Sequence, residues 1–268
     1  MLTTVLLYLA LGALSGLMAG LFGVGGGAVI VPVLIIAFAR QGLDPAVLTH
    51  IAVGTSLAVI CLTSISSVRA HHRNGFVDWP VVRVMAPALV IGVVAGVLTV
   101  VRIPGPVLQW IIGSYLCLIA IQMGFDLMPA GHRLQLTRRV QWLAGAVIGW
   151  VSALFGIGGG SLTVPFLSFY GVRMQHAVAT SAACGFPIAV GGALSNMLAG
   201  WGQADLPAGS LGYVYLPAFA GIALMSLPFA KLGANLAKNL PATVLKRIFS
   251  GFLVIIGGSL IGRAGGWI

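Results

Sequence analysis

Two stretches decide how this chain is read. Residues 21–34 run LFGVGGGAVIVPVL, and residues 154–167 run LFGIGGGSLTVPFL. Nine of the 14 positions are identical, including Gly25-Gly26-Gly27 against Gly158-Gly159-Gly160 and Pro32 against Pro165. Three consecutive glycines do not suit a helix interior, because each costs about 1 kcal/mol against alanine. They let the backbone reach positive φ and let another group approach closely. Yet both stretches lie inside long uncharged apolar segments, 2–39 and 140–170. Each segment exceeds the roughly 20 residues of one membrane span.

The likeness extends outward from these blocks. Ala52-Val-Gly-Thr55-Ser56 matches Ala177-Val-Ala-Thr180-Ser181. Gly75-Phe-Val-Asp78-Trp-Pro80 matches Gly202-Gln-Ala-Asp205-Leu-Pro207, and Val107-Leu108-Gln109 matches Val244-Leu245-Lys246. The chain therefore reads as an N-terminal repeat, 1–128, a polar linker, 129–137, and a C-terminal repeat, 138–268. Further apolar segments fall at 46–68, 79–101, 106–128, 176–200, 211–230 and 243–262.

Composition sets the class. Of 268 residues, 59% are apolar and 7% are charged, with 14 Lys plus Arg against four Asp. A soluble domain carries about 25% charged residues, so a soluble cytosolic enzyme is excluded. Continuous apolar runs exclude the alternating segments of a membrane β-barrel. The net charge of +10 sits between apolar runs, so it marks topology and not nucleic-acid binding. Cys61, Cys117 and Cys184 lie within apolar segments without a CxxC pair, which argues against a disulfide framework or a zinc site. No basic n-region precedes the first apolar run, which is too long for a signal peptide. The expected fold is all-α: a polytopic helical membrane protein with about eight to ten membrane segments.

Basic residues give the orientation. They gather in 69–73, in the linker region (Arg133, Arg138, Arg139) and in 231–247, while 201–210 has none and 102–105 only Arg102. With basic loops cytoplasmic, segment 46–68 runs inward and its copy 176–200 runs outward. The repeats are then inverted, as in many secondary transporters, with a site near the midplane where they meet. Whether each glycine-broken segment spans or re-enters is open at this stage.

The candidate chemistry follows from what the membrane allows. Broken helices at membrane depth are tolerated where they are buried in protein or line a wet cavity. The N–H groups at the start of a half-helix, with its dipole, bind an anion without a charged side chain. Glycines also serve close helix packing, so both readings of Gly25–Gly27 and Gly158–Gly160 stand. Thr55, Ser56, Thr180 and Ser181 offer hydroxyl donors, unless they bond their own helix carbonyls. Ser56, Thr63 and Ser67 share a helical face. Asn196 is a further polar candidate, as are Gln109 and Gln122. His50 and His176 precede the Thr-Ser helices and could titrate, or simply sit at the interface. Asp78 and Asp205 precede X-Pro at helix starts and read as N-caps. Arg83 and Arg102 read as snorkelling side chains. No mid-span carboxylate is available to relay protons or hold sodium, which suits an anionic substrate. No nucleophile–base pair, metal cluster or P-loop is present, so neither enzyme activity, metal nor cofactor is expected.

The doubled GLFGVGGG…VP block, the Thr-Ser helix and the G-x-x-D-W-P step resemble the sulfite exporter TauE/SafE family, also called the toluenesulfonate uptake permease family, over nearly the whole chain. Two departures are visible. The second half has Ala204-Asp205-Leu206 in place of Val-Asp-Trp, and Pro32 to Thr55 spans 23 positions where Pro165 to Thr180 spans 15. The resemblance implies a transporter of sulfite, sulfonates or related organic anions in the bacterial inner membrane. It also implies that the glycine clusters, Pro32, Pro165 and the two Thr-Ser pairs are the site residues. The expected partners are a small anion and the lipid bilayer, with homo-oligomerisation left open. A passive anion channel and a non-transporting assembly factor are the alternatives.

Overall fold

The computed structural model describes residues 2–22, 26–124, 135–237 and 242–267. Gly25 and most of the linker 129–137 lie outside these residues. Among the described residues, ten helices follow in order: α1 (Leu2–Phe22), α2 (Gly27–Arg40), α3 (Leu48–Arg73), α4 (Trp79–Val100), α5 (Gly105–Gly124), α6 (Arg138–Phe155), α7 (Gly160–Phe169), α8 (Met174–Ala199), α9 (Leu216–Ala237) and α10 (Ala242–Ala264). A two-stranded antiparallel hairpin, β1 (Ser210–Leu211) and β2 (Val214–Tyr215), precedes α9. Among the described residues, six helices are long and apolar enough to cross a membrane: α3, α4, α5, α8 and most of α9 and α10. Large apolar side chains face outward, with Leu143 71%, Leu198 74% and Ile255 72% exposed. Such a surface is stable in lipid, and the chain is a multi-pass membrane protein.

The packing shows how the two halves relate. α1 lies on α9, and its counterpart α6 lies on α4. Both pairs run parallel and use a small-xxx-small seam. A Cβ on Gly12 would stand 2.6 Å from the Ile222 carbonyl, and one on Gly16 would overlap the Ser226 carbonyl. In the other pair, a Cβ on Gly145 would stand 3.1 Å from the Met85 carbonyl, and one on Gly149 would overlap that of Leu89. The central pairs α3–α8 and α5–α10 cross between the halves. Ser250 Oγ donates to the Ala120 carbonyl at 2.7 Å, and Trp110 meets Trp267, so α5 and α10 are antiparallel.

These contacts fix direction. The Trp79 indole reaches His72, and Asp78 N–H reaches Thr180, so the end of α3 and the starts of α4 and α8 share one face of the molecule. Arg83 adjoins Arg138 and Arg139, so α6 also begins there. α3, α5, α9 and α1 begin at the opposite face: His50 bonds the Val100 carbonyl, Thr49 bonds that of Gly105, and Tyr8 meets Tyr215. Every helix of the first half therefore runs against its counterpart in the second. The first face carries Arg69, Arg73, Arg83, Arg138, Arg139, Arg173, Lys231 and Arg247, and the opposite face carries Arg40, Arg102 and Arg263.

Both glycine-broken segments turn back. The Tyr8 hydroxyl donates to Gln41 Oε1 at 2.9 Å, which returns the end of α2 to the start of α1. α7 ends beside the start of α8, on the face where α6 began. Gly26 and Gly159 are the N-caps of α2 and α7, each with φ of 74°. That conformation is open to glycine at little cost. Pro32 and Pro165 fall in the second helical turn, not the first. Each lacks the N–H that would bond the carbonyl four residues earlier, on Ala28 and Ser161.

One expectation needs correction. Asp78 does cap α4, accepting the Val81 N–H, but Asp205 caps nothing at the start of α9. The hairpin of β1 and β2 intervenes, and Tyr215-Leu216-Pro217 is the structural equivalent of Asp78-Trp79-Pro80. The eight-residue spacing difference between the halves is shared between helix and loop. α2 has 14 residues and α7 has 10, which supplies half of it.

Candidate functional site

The two hairpins meet at the centre. A Cβ on Gly27 would lie 2.7 Å from the Gly156 carbonyl oxygen and 2.9 Å from Ile157 Cα, so one glycine loop rests on the other. Ser56 Oγ donates to the same Gly156 carbonyl at 2.8 Å and ties the second loop to α3. Gly159 is packed under Ile188, whose Cδ1 would be 2.5 Å from an added Cβ. This junction closes the floor of a cavity of about 330 Å³.

The cavity opens toward the arginine-rich face. Thr63, Ser64, Ser66 and Ser67 of α3 line one wall, and Ser181 and Gly185 of α8 line another. Gly158 and Gly160, at the start of α7, form the inner end. His71 and Lys231 stand at the mouth. Ile60 and Leu227 make the lining largely apolar between these groups. Among the described residues no carboxylate lines it. Ser181 is 2% exposed, and its Oγ has no hydrogen-bond partner. A buried hydroxyl without a partner costs free energy unless something fills the space it faces. The first N–H groups of α7 also lack intrahelical acceptors. Hydroxyl, helix N-terminus and a cationic mouth are all groups that favour negative charge.

Of the residues singled out in the sequence, Gly158, Gly160, Thr63, Ser67 and Ser181 line this cavity. Gly26 and Gly159 cap the half-helices, while Gly27 and Ser56 hold the two loops together. Thr55 and Thr180 play matched structural parts. Thr55 Oγ1 accepts the Tyr215 N–H and Thr180 Oγ1 accepts the Asp78 N–H, each at 3.0 Å, just ahead of α9 and α4. Pro32 is buried in α2, and Pro165 is half-buried in α7. Asn196 donates to the Gly192 carbonyl near the opposite face. His50 is buried there too, its ring over Tyr213 at 5.4 Å, and burial raises the Tyr213 phenol pKa. His176 packs edge-on against Phe76, outside the cavity lining. Ser64, Ser66, His71, Gly185 and Lys231 were not anticipated. The spacing of Thr63, Ser67, Ala70 and His71 along one face of α3 was the signal that could have found His71, whereas Gly185 and Lys231 lie on α8 and α9 and come to the cavity only through tertiary packing.

The opposite end is closed by aromatic packing. Tyr8, Phe38 and Tyr215 form a triangle with centroids 5.8–6.4 Å apart, and His50 and Tyr213 stack nearby.

Comparison with known proteins agrees. A probable membrane transporter protein of Haemophilus influenzae is 37% identical over 257 residues, covering 96% of this chain and 97% of the relative. One of Methanocaldococcus jannaschii is 28% identical, covering 94% and 93%, and one of Bacillus subtilis is 26% identical, covering 94% and 97%. No solved structure matches the chain. The model of the sulfite exporter TauE/SafE family matches residues 8–260, which take in both glycine hairpins and every helix of the cavity wall; the chain is a membrane transporter protein belonging to that family.

Proposed function

We propose that the protein is a secondary transporter of sulfite, an organosulfonate or a related small organic anion, working by alternating access in the bacterial inner membrane. The arginine-rich face is cytoplasmic by the distribution of basic residues. An anion enters past Lys231 and His71, descends to the start of α7, and is held by the free N–H groups and by Ser181, with Thr63 turning to it from its long bonds to the Val59 and Ile60 carbonyls of its own helix (3.5 and 3.3 Å). The observation that carries this reading is that Ser181, 98% buried and with an unpartnered hydroxyl, belongs to the lining of a cavity whose inner end is a half-helix N-terminus. Release to the other face needs the aromatic closure at Tyr8, Phe38 and Tyr215 to part while the serine-lined cavity shuts. Equivalent, oppositely directed helices allow the two halves to exchange these roles. An interior at −70 mV favours anion exit by about 1.6 kcal/mol per charge, so export needs no coupled ion.

The test is uptake of labelled sulfite and of an alkylsulfonate panel into proteoliposomes, under an imposed potential, with and without a pH gradient. Saturable flux that follows the potential supports the carrier. Non-saturating flux without trans-stimulation indicates a channel. Absence of flux for the whole panel, with folded protein, contradicts the reading and favours an assembly role.

A further inference from the structure

We propose that the head of the parallel α4–α6 pair binds the phosphate of an anionic phospholipid. A depression of about 360 Å³ lies there, lined by Arg83, Val84 and Pro87 of α4 and by Arg138, Arg139 and Trp142 of α6. Three guanidinium groups share one small volume. The chain has only four carboxylates: Asp44, Asp78, Asp126 and Asp205. Asp78 is engaged as the α4 cap, Asp44 and Asp205 are at the opposite face, and Asp126 lies outside the described residues. Among the described residues, nothing else near the depression carries negative charge. Arginine matches phosphate oxygens with paired donors, and clustered arginines between helices at the cytoplasmic side suit lipid head groups.

The fold itself does not require these charges. The α1–α9 pair repeats the packing at the other face, with Gly12 and Gly16 in the places of Gly145 and Gly149. In that register Val5, Leu6 and Ala220 stand where Arg138, Arg139 and Arg83 stand here. The same seam forms there without a cation. Below the arginines the surface turns apolar and outward. Ile91 is 56%, Leu143 71% and Val147 60% exposed, and Trp142 lies at the boundary at 45%. A head group above and acyl chains along this strip fit one lipid, which a free phosphate ion would use only at its upper end.

The experiment uses the full chain, purified in detergent and depleted of lipid. Thermal unfolding is followed with phosphatidylglycerol or cardiolipin, with phosphatidylcholine, and with inorganic phosphate. The expected result is a saturable rise in Tm with the anionic lipids alone. That rise is lost in R83Q/R138Q/R139Q and kept in R69Q/R73Q, a control that removes equal charge types elsewhere on the same face. Retention of the rise in the triple variant, an equal rise with inorganic phosphate, or equal loss in the control overturns the proposal. Where the triple variant does not fold, native mass spectrometry of the wild-type chain decides. Selective retention of phosphatidylglycerol over phosphatidylcholine supports the site, and equal retention overturns it.

Discussion

Replacing Gly27 with alanine probes the junction on which the cavity floor depends. The added Cβ would meet the Gly156 carbonyl oxygen at 2.7 Å, Ile60 Cδ1 at 2.8 Å and Ile157 Cα at 2.9 Å. Ile60 can swing away. The other two atoms are backbone of the opposing loop, and that loop is held by Ser56 at 2.8 Å. Relief therefore requires the loops to part by roughly 0.5–1 Å, enough to forfeit a quarter to a half of the contact energy along the seam. Overpacking of a tight site costs about 1–3 kcal/mol. Stretching the Ser56 bond adds up to about 1 kcal/mol. A total of about 1–4 kcal/mol corresponds to a fall in Tm of about 2–16 °C for a chain of this length. The assay is thermal unfolding in detergent, with anion flux measured on the same preparation. Gly158→Ala is the control, because its nearest neighbour is the movable Ile60 Cγ2 at 3.1 Å, and its fall should be the smaller. Wild-type melting for Gly27→Ala would refute the contact between the hairpins.

Further consequences follow from the same geometry. Thr55→Val and Thr180→Val each strip the acceptor from a backbone N–H, and each should lower stability by a similar amount, about 1–3 kcal/mol, in equilibrium unfolding. Unequal losses would contradict the matched roles. Ser181→Ala removes a hydroxyl with no protein partner, so Tm should hold while the KM for the anion rises about tenfold, the equivalent of about 1.4 kcal/mol. A large loss of Tm would place Ser181 in the fold and not in the site. Gly149→Leu should separate α4 from α6 and abolish folded expression, whereas Gly191→Ala, whose added Cβ finds its nearest neighbour at 3.5 Å, should be tolerated. Cysteine at Thr63 should react with a membrane-impermeant thiol reagent from the arginine-rich side, and cysteine at Asn196 should not.

Much of the architecture was legible because lipid demands simple patterns. Long uncharged runs announced the helices, and the doubled glycine block announced the repeat. The basic loops gave opposite directions for 46–68 and 176–200, which the contacts at His72, Thr180, Val100 and Gly105 reproduce. The turn at each glycine cluster was not legible, since uncharged runs of 38 residues (2–39) and 31 residues (140–170) fit two tilted spans as well as a hairpin. The bond between Tyr8 and Gln41 is long-range and leaves no local signal. The register of the second half was misjudged at Asp205, because a short hairpin was inserted before α9 and a Gly-x-x-Asp-x-Pro match recurred by composition. The Thr-Ser pairs illustrate a subtler limit. Hydroxyls at equivalent positions looked alike, yet Thr55, Thr180 and Ser56 are spent on backbone groups. That division, with Ser181 alone of the four left unpartnered and in the cavity lining, depends on which carbonyl or N–H lies opposite, which spacing along one helix does not encode.

The central claim is that an anion is bound at the start of α7 and carried across. The most direct test is the charge displaced when sulfite or a sulfonate is jumped onto proteoliposomes adsorbed on a capacitive electrode. A saturable transient that depends on Ser181 and Thr63, and that persists at constant pH, is the predicted result. A transient that is unchanged in Ser181→Ala/Thr63→Ala, or that appears only with a pH gradient, would contradict it.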